Sequence, residues 1–271
     1  MALVPFKRPD DDPDHDREDE DDDHAGRAGK MSFLDHLDEL RRRIVYSLVA
    51  LVIGFVLCLF FIDPIYEFIM RPMQAGLEPG IRLQYIEPTE GFMIKIKMAA
   101  LAGLLLATPA IMTQVWLFIS PGLYAKERKL AVPFVLLSSI CFLSGAAFSH
   151  IQAFPWMWRF FAGFTTDLTV FVPRVGPAFG LYVKMLLTFG LVFQMPALVL
   201  ILSRLGLVTA KFLWRNLKYA ILIMFIVGAV LSPGTDPIGQ LLLAGPMILL
   251  YLISIVLAWL FGKKRQPVTE P

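Results

Sequence analysis

The amino-acid sequence predicts an all-α integral membrane protein with six transmembrane helices, and two observations carry that prediction. The first is composition, because 56% of the 271 residues are apolar and the mean hydropathy is +0.63, whereas a soluble domain is usually about 45–50% apolar. The second is that the apolar residues form long uncharged runs, and about 20 such residues cross the hydrocarbon core as a helix. The runs are Ile44–Ile62, Met98–Ser120, Leu130–Trp158, Met185–Ser203, the shorter Tyr219–Thr235, and Pro237–Gly262.

The distribution of Lys and Arg predicts the orientation of these helices, since cytoplasmic loops carry an excess of both. Basic residues cluster before the first run, between the second and third, between the fourth and fifth, and after the sixth. The alternate connections, about residues 63–91, 159–178 and 231–237, hold few and are expected to be outer loops. With six spans, the four basic segments all lie on the same side of the membrane, which the excess of Lys and Arg identifies as the cytoplasmic side. Both termini are therefore predicted to be cytoplasmic.

Charge also divides the chain into three parts. Residues 1–30 hold 11 acidic and 5 basic side chains, a composition that cannot bury enough apolar surface to fold, so we expect a disordered acidic tail. Met31 is a candidate alternative start. Residues 31–262 form the predicted membrane domain, and residues 263–271 form a predicted cytoplasmic tail.

The membrane domain is expected to begin with an amphipathic helix. Ser32 and Asp35 fit a capping box at its start. Apolar residues then recur at helical spacing, with charged residues on the opposite face. The pattern predicts a helix that lies in the membrane interface and runs directly into the first span.

Proline residues are expected to bend or end several spans, because each removes a backbone hydrogen bond. They are Pro109, Pro133, Pro155, Pro196 and Pro246.

No catalytic constellation, nucleotide-binding motif or metal-ligand motif is evident in the sequence, so neither an enzyme nor a cofactor or metal ion is expected. Two carboxylates near the predicted cytoplasmic surface are candidates for binding. Glu39 lies four residues before Arg43, and the two could simply form an intrahelical ion pair. Glu127 is set among three cations, and could simply balance their charge.

Polar residues at membrane depth form a second group of candidates. Gln194 lies midway along an apolar run, where an amide is costly unless it is hydrogen-bonded. Either it bonds a neighbouring helix, or it contacts a partner or substrate, and its position in the sequence favours neither reading over the other. Gln240, with Ser232 and Asp236 in the preceding turn, forms a similar polar patch near the start of the last helix.

Two blocks of sequence resemble motifs of the TatC family, the core membrane subunit of the twin-arginine protein translocase. Residues His36–Arg43 are similar to its HLxELRxR motif, and Gln114–Arg128 to its QVWxFIxPGLYxxER block, which contains Phe118 and Pro121. Pro72 resembles the proline of the family's first outer loop, and the turn at Ser232 resembles the start of its last helix. The similarity extends from about Met31 to Phe261.

The resemblance implies six helices in a cupped bundle, in a bacterial cytoplasmic membrane, with both termini inside. It also implies a receptor for twin-arginine signal peptides of folded proteins, whose export the proton gradient drives. The partners would be the single-span subunits TatA and TatB, further copies of the chain and the lipid bilayer, with no nucleic acid.

The resemblance also implies roles for particular residues. Glu39 and Glu127 would engage the arginine pair, with Arg41 and Arg43 positioning Glu39. Partner helices would dock near the polar intramembrane residues. Many family members carry glutamate where this chain has Gln194, and a glutamine cannot act as a proton relay. Hydrogen bonding to a partner helix or to the signal peptide remains open to it, and the partner role is the one we favour. The alternative function is a multi-pass secondary transporter, which is disfavoured because only Gln194 lies at depth and no internal repeat is evident.

Overall fold

The computed structural model describes residues 33–77, 80–119, 131–165, 171–231 and 237–262. Contacts within the chain divide it into two units, Met1–Val45 and Tyr46–Pro271. The described residues of the first unit are the opening turns of one helix, and the remaining elements belong to the second unit. The predicted tails and the predicted capping residue Ser32 lie outside the described residues.

The described residues form ten α-helices and one π-helical turn, with a single isolated β-bridge. The helices are α1 Phe33–Phe60, α2 Ile62–Ala75, α3 Glu90–Ile119, α4 Ala131–Phe148, α5 Phe154–Ala162, α6 Val175–Val192, α7 Gln194–Arg204, α8 Ala210–Arg215, α9 Leu217–Leu231 and α10 Pro237–Phe261, and the π-turn is Ser149–Ala153.

Six apolar helical segments match the six runs, which confirms the all-α, six-span prediction. Five are long and apolar enough to cross a membrane: His36–Phe60, Glu90–Ile119, Val132–Ala162, Val175–Arg204 and Gly239–Phe261. The other, α9, has 15 residues, or about 22 Å of helix against about 30 Å of hydrocarbon. The amphipathic segment and the first span form one helix, as predicted.

Two helices begin earlier than their apolar runs. Helix α3 begins at Glu90 rather than near Met98, and α6 begins at Val175 rather than near Met185. The reason is that lysines inside each helix, Lys97 in α3 and Lys184 in α6, interrupt the uncharged run without interrupting the backbone hydrogen bonds.

Prolines interrupt two of the spans, in agreement with the prediction. The π-turn Ser149–Ala153 lies directly before Pro155, in the first turn of α5. The fourth span breaks at Phe193, three residues before Pro196. Each proline removes an N–H and clashes with the carbonyl four residues earlier, so the helix changes its hydrogen-bond register at that point. Helices α3 and α10 continue through Pro109 and Pro246.

The first predicted outer loop contains a helix that the sequence analysis missed. Ile62–Ala75 forms α2, so Pro72 lies inside a helix rather than in a loop. The Trp158 indole donates to the Met73 carbonyl oxygen at 2.8 Å, which anchors the end of α2 to α5. The hydropathy pattern missed this helix because its polar residues resemble those of a loop.

Close backbone approaches hold the long helices together. Helix α6 carries the fully buried Tyr182, Met185 and Phe189 at the centre of the core. A Cβ atom on Gly103 of α3 would lie 2.5 Å from the Phe55 nitrogen of α1. Apolar side chains gain little by leaving lipid, so membrane helices associate largely through such close van der Waals packing.

The substitution Gly103→Ala is predicted to destabilise the protein by about 1–3 kcal/mol, because α1 and α3 must separate to admit the methyl group. Thermal unfolding of the purified chain in detergent measures the effect. Gly245→Ala is the matched control, since nothing lies within 4 Å of its Cβ position. Equal unfolding temperatures for the two variants would contradict the packing argument.

Candidate functional site

The first candidate carboxylate, Glu39, lies on the opening turns of α1 and is mostly buried. Its Oε1 atom accepts a hydrogen bond from Arg43 Nη2 at 3.0 Å, and the side chain is 16% exposed. Its Oε2 atom is buried and has no hydrogen-bond partner among the described residues. The ion pair with Arg43 is therefore present, but it engages only one of the two carboxylate oxygens. Arg41 is exposed.

The second candidate, Glu127, lies in the segment 120–130, outside the described residues, as does Pro121. The helices on either side of that segment are joined by an aromatic contact. Trp116, near the end of α3, is 3% exposed, and its ring centroid lies 4.6 Å from that of Phe134 in α4. Phe118, in the same last turn of α3, is half-buried.

The Gln194 amide links three helices at the break in the fourth span. It is the first residue of α7 and is 7% exposed. Its Nε2 atom donates to the Ser138 carbonyl oxygen of α4 at 3.3 Å and lies 3.4 Å from the Met112 sulfur of α3. The Ser138 hydroxyl is itself buried with no hydrogen-bond partner among the described residues. The helix–helix bond is thus present, while contact of Gln194 with a partner subunit stays a prediction.

Gln240 makes a comparable link between the last two helices. Its Nε2 atom donates to the Phe225 carbonyl oxygen of α9 at 2.7 Å. The two helices approach closely beside it, since a Cβ atom on Gly228 would lie 3.0 Å from the Gln240 carbonyl oxygen. Ser232 and Asp236, which complete the predicted polar patch, lie outside the described residues.

A junction at Glu90 was missed by the sequence analysis. The Glu90 carboxylate at the start of α3 accepts the Ile86 N–H at 3.1 Å and the Gly176 N–H at 2.9 Å. Beside it, Gln84 and Arg174 form the isolated parallel bridge. A carboxylate is favourable at a helix N-terminus, so Glu90 holds the starts of α3 and α6 together. The sequence signal for this junction was a glutamate at the start of a helix. It could not identify Gly176 as the second partner, because that residue lies 86 positions away in the chain.

A part-buried His–Tyr pair was also missed. His150 Nδ1 and the Tyr182 hydroxyl are 2.9 Å apart, which joins the π-turn to α6. The imidazole also stacks on Phe68 of α2, with ring centroids 4.2 Å apart. The histidine is therefore a packed and hydrogen-bonded part of the core.

Comparison with known proteins decides the family. The sequence model described as Sec-independent protein translocase protein (TatC) matches residues 35–246. The chain belongs to the TatC family. The resemblance drawn from the two motifs is thereby confirmed.

Individual TatC proteins are similar over most of their length. The TatC of Koribacter versatilis is 39% identical over 239 residues, covering 87% of this chain and 88% of that protein. The TatC of Desulforapulum autotrophicum is 39% identical over 241 residues, covering 89% of each. These relatives are Sec-independent protein translocase proteins, which confirms the translocase prediction over a secondary transporter.

Solved structures agree with the sequence comparison. A crystal structure of the twin-arginine translocase receptor TatC superposes with a TM-score of 0.73 at 34% identity, covering 83% of this chain and 98% of that one. A second, determined in the detergent DDM, gives a TM-score of 0.75 at 34% identity, covering 84% and 99%. The protein is therefore a multi-pass membrane component of a protein translocase.

The variant Gln194→Leu tests whether this TatC-family protein uses the amide within its own bundle. Loss of the interhelical bond is expected to cost about 0.6 kcal/mol, measured as a lower unfolding temperature of the isolated chain in detergent. Thr113→Val is the control, because its hydroxyl bonds the Pro109 carbonyl oxygen of its own helix. Unchanged stability of the leucine variant, with weaker partner-subunit copurification, would assign the amide to a partner instead.

Proposed function

We propose that this chain is the receptor subunit of a twin-arginine translocase. It binds the signal peptides of folded precursors on the cytoplasmic side and scaffolds TatA and TatB for export driven by the proton gradient. The proposed role is binding and assembly rather than catalysis, in a bacterial cytoplasmic membrane with both termini inside. Membership of the TatC family supports the proposal at the level of the whole protein.

The proposed peptide site rests on one observation, which is that only one of the two Glu39 carboxylate oxygens has a hydrogen-bond partner among the described residues. Arg43 engages one oxygen, which fixes the orientation of the side chain. The other oxygen is buried and has no partner in the described part of the chain. A desolvated carboxylate oxygen without a donor is costly, and a guanidinium is the donor that suits it best.

A peptide with two adjacent arginines presents two guanidinium groups, so a second carboxylate is required. We assign that role to Glu127, from the family motif that contains it. Glu127 is the one carboxylate among the cations Lys126, Arg128 and Lys129 in that segment of the sequence, and a carboxylate binds a guanidinium through two parallel hydrogen bonds. Arg41, which is exposed, is proposed to help Arg43 position Glu39 rather than to touch the peptide.

Partner docking is proposed at the last two helices. Gln240 already ties α9 to α10, so the polar patch predicted with Ser232 and Asp236 would sit beside a tightly packed helix pair. A single-span partner can dock there by close packing and by hydrogen bonds to the patch. Further copies of the chain are proposed to share the complex.

The isosteric variant Glu39→Gln is predicted to weaken binding of a twin-arginine peptide by roughly tenfold or more, because a charge-assisted hydrogen bond is worth about 1.5–3 kcal/mol.

Glu127→Ala is predicted to abolish photocrosslinking to the same peptide while the protein remains inserted. Binding is measured with a labelled signal peptide, comparing Arg-Arg with Lys-Lys versions.

Asp38→Asn is the matched control for the first variant, because Asp38 is an exposed carboxylate on the same turn. Thermal unfolding of Glu39→Gln separates a lost binding site from a lost fold. If the glutamine variant keeps full affinity and still prefers Arg-Arg over Lys-Lys, Glu39 does not hold the arginine pair.

Removal of residues 1–30 is predicted to leave export intact, because the TatC match begins at residue 35. Export of a twin-arginine reporter in a strain that makes only the truncated protein measures this. A truncated protein of normal abundance that fails to export would show that the acidic tail has a function.

A further inference from the structure

An apolar groove runs between α1, α3 and α6 on the second unit of the chain. Its volume is about 640 Å³, and its walls are formed by side chains such as Leu51, Phe55, Leu101, Phe179 and Leu187. On the α6 wall, Gly180 has no atom within 4 Å of its Cβ position, so the groove is open there.

Two lysines flank this groove without a counter-ion. Lys97 of α3 is exposed and lines the groove directly. Lys184 of α6 is exposed, directly follows the groove-lining Val183 and lies one helical turn after Gly180, so it sits at the edge of the opposite wall. Neither has an ion pair or hydrogen bond to any described residue. In contrast, Lys95 pairs with Asp63 at 2.7 Å.

The depth of the two lysines is similar, because α3 and α6 start together at the Glu90 junction. Lys97 is seven residues into α3 and Lys184 nine residues into α6, which places their Cα atoms about 10 and 14 Å from the helix starts. Both ammonium groups can therefore reach the headgroup level at the same end of the bundle, while the groove extends toward the bilayer centre.

We propose that this groove is a binding site for an anionic phospholipid. One acyl chain lies along the apolar walls, and the phosphate bonds the ammonium groups of Lys97 and Lys184. The combination selects this occupant, since cations at the headgroup level attract anionic lipids and a zwitterionic lipid carries its own compensating cation. The site uses none of the residues assigned to the signal peptide.

The test places the full chain in nanodiscs that contain equal amounts of phosphatidylglycerol and phosphatidylcholine with identical acyl chains. Either lipid carries a photoactivatable group on one chain, and labelled peptides are mapped by mass spectrometry. We expect groove peptides from α3 and α6 to be labelled preferentially by phosphatidylglycerol. The preference should fall by roughly fivefold for each lysine removed in Lys97→Gln and Lys184→Gln, the value typical of a basic residue near an anionic membrane surface.

Lys95→Gln is the matched control, because it removes an equal charge from α3 outside the groove, and it should keep the preference. Gly180→Leu should reduce labelling of the groove by both lipids, since its Cβ position is open and the longer side chain extends into the space of the acyl chain.

Equal labelling by the two lipids in the unmodified protein would overturn the proposal. So would a preference that survives in the double lysine variant, or labelling that a signal peptide displaces but excess phosphatidylglycerol does not. The last outcome would assign the groove to a peptide.

Discussion

The structure depends on the requirement that every backbone polar group in the hydrocarbon be hydrogen-bonded within the protein. This requirement explains why the described spans are helices and why their irregularities are informative. The π-turn at Ser149–Ala153 and the break at Phe193 each precede a proline that removes an N–H. The part-buried His150 and the buried Gln194 lie at these two places, where the regular ladder of backbone hydrogen bonds is interrupted.

Polar side chains act as cross-links between helices that otherwise associate through shape. Gln194 joins α7 to α4, Gln240 joins α10 to α9, and Tyr182 joins α6 to the π-turn. Glycines allow the remaining contacts, as at the approach of Gly103 to α1. In a membrane neither kind of contact is driven by the hydrophobic effect, so a few well-placed amides and glycines determine which helices pack together.

Charged groups divide into those that are paired within the chain and those that are left with unused bonding capacity. Glu90 accepts backbone N–H groups and Lys95 pairs with Asp63, and these contacts tie α3 to α6 and to α2. Glu39 keeps one oxygen without a partner in the described part of the chain, and Lys97 and Lys184 have no counter-ion there. The second group is where ligands are proposed, since unsatisfied charge in a low-dielectric environment is costly until a partner arrives.

The sequence by itself determined the all-α class, the six apolar segments and the TatC family, and it named five prolines, of which Pro155 and Pro196 coincide with interruptions. These follow from hydropathy, from residue types at one position, and from short motifs, all of which are local. Tertiary structure alone decided that α2 is a helix, that Glu90 binds the N–H of Gly176, that Gln194 bonds Ser138, and that the groove beside Lys97 exists. Gln194 and Ser138 are 56 residues apart in the chain, and Glu90 and Gly176 are 86 apart. The periodicity within one helix does not encode which face of a distant helix it will meet.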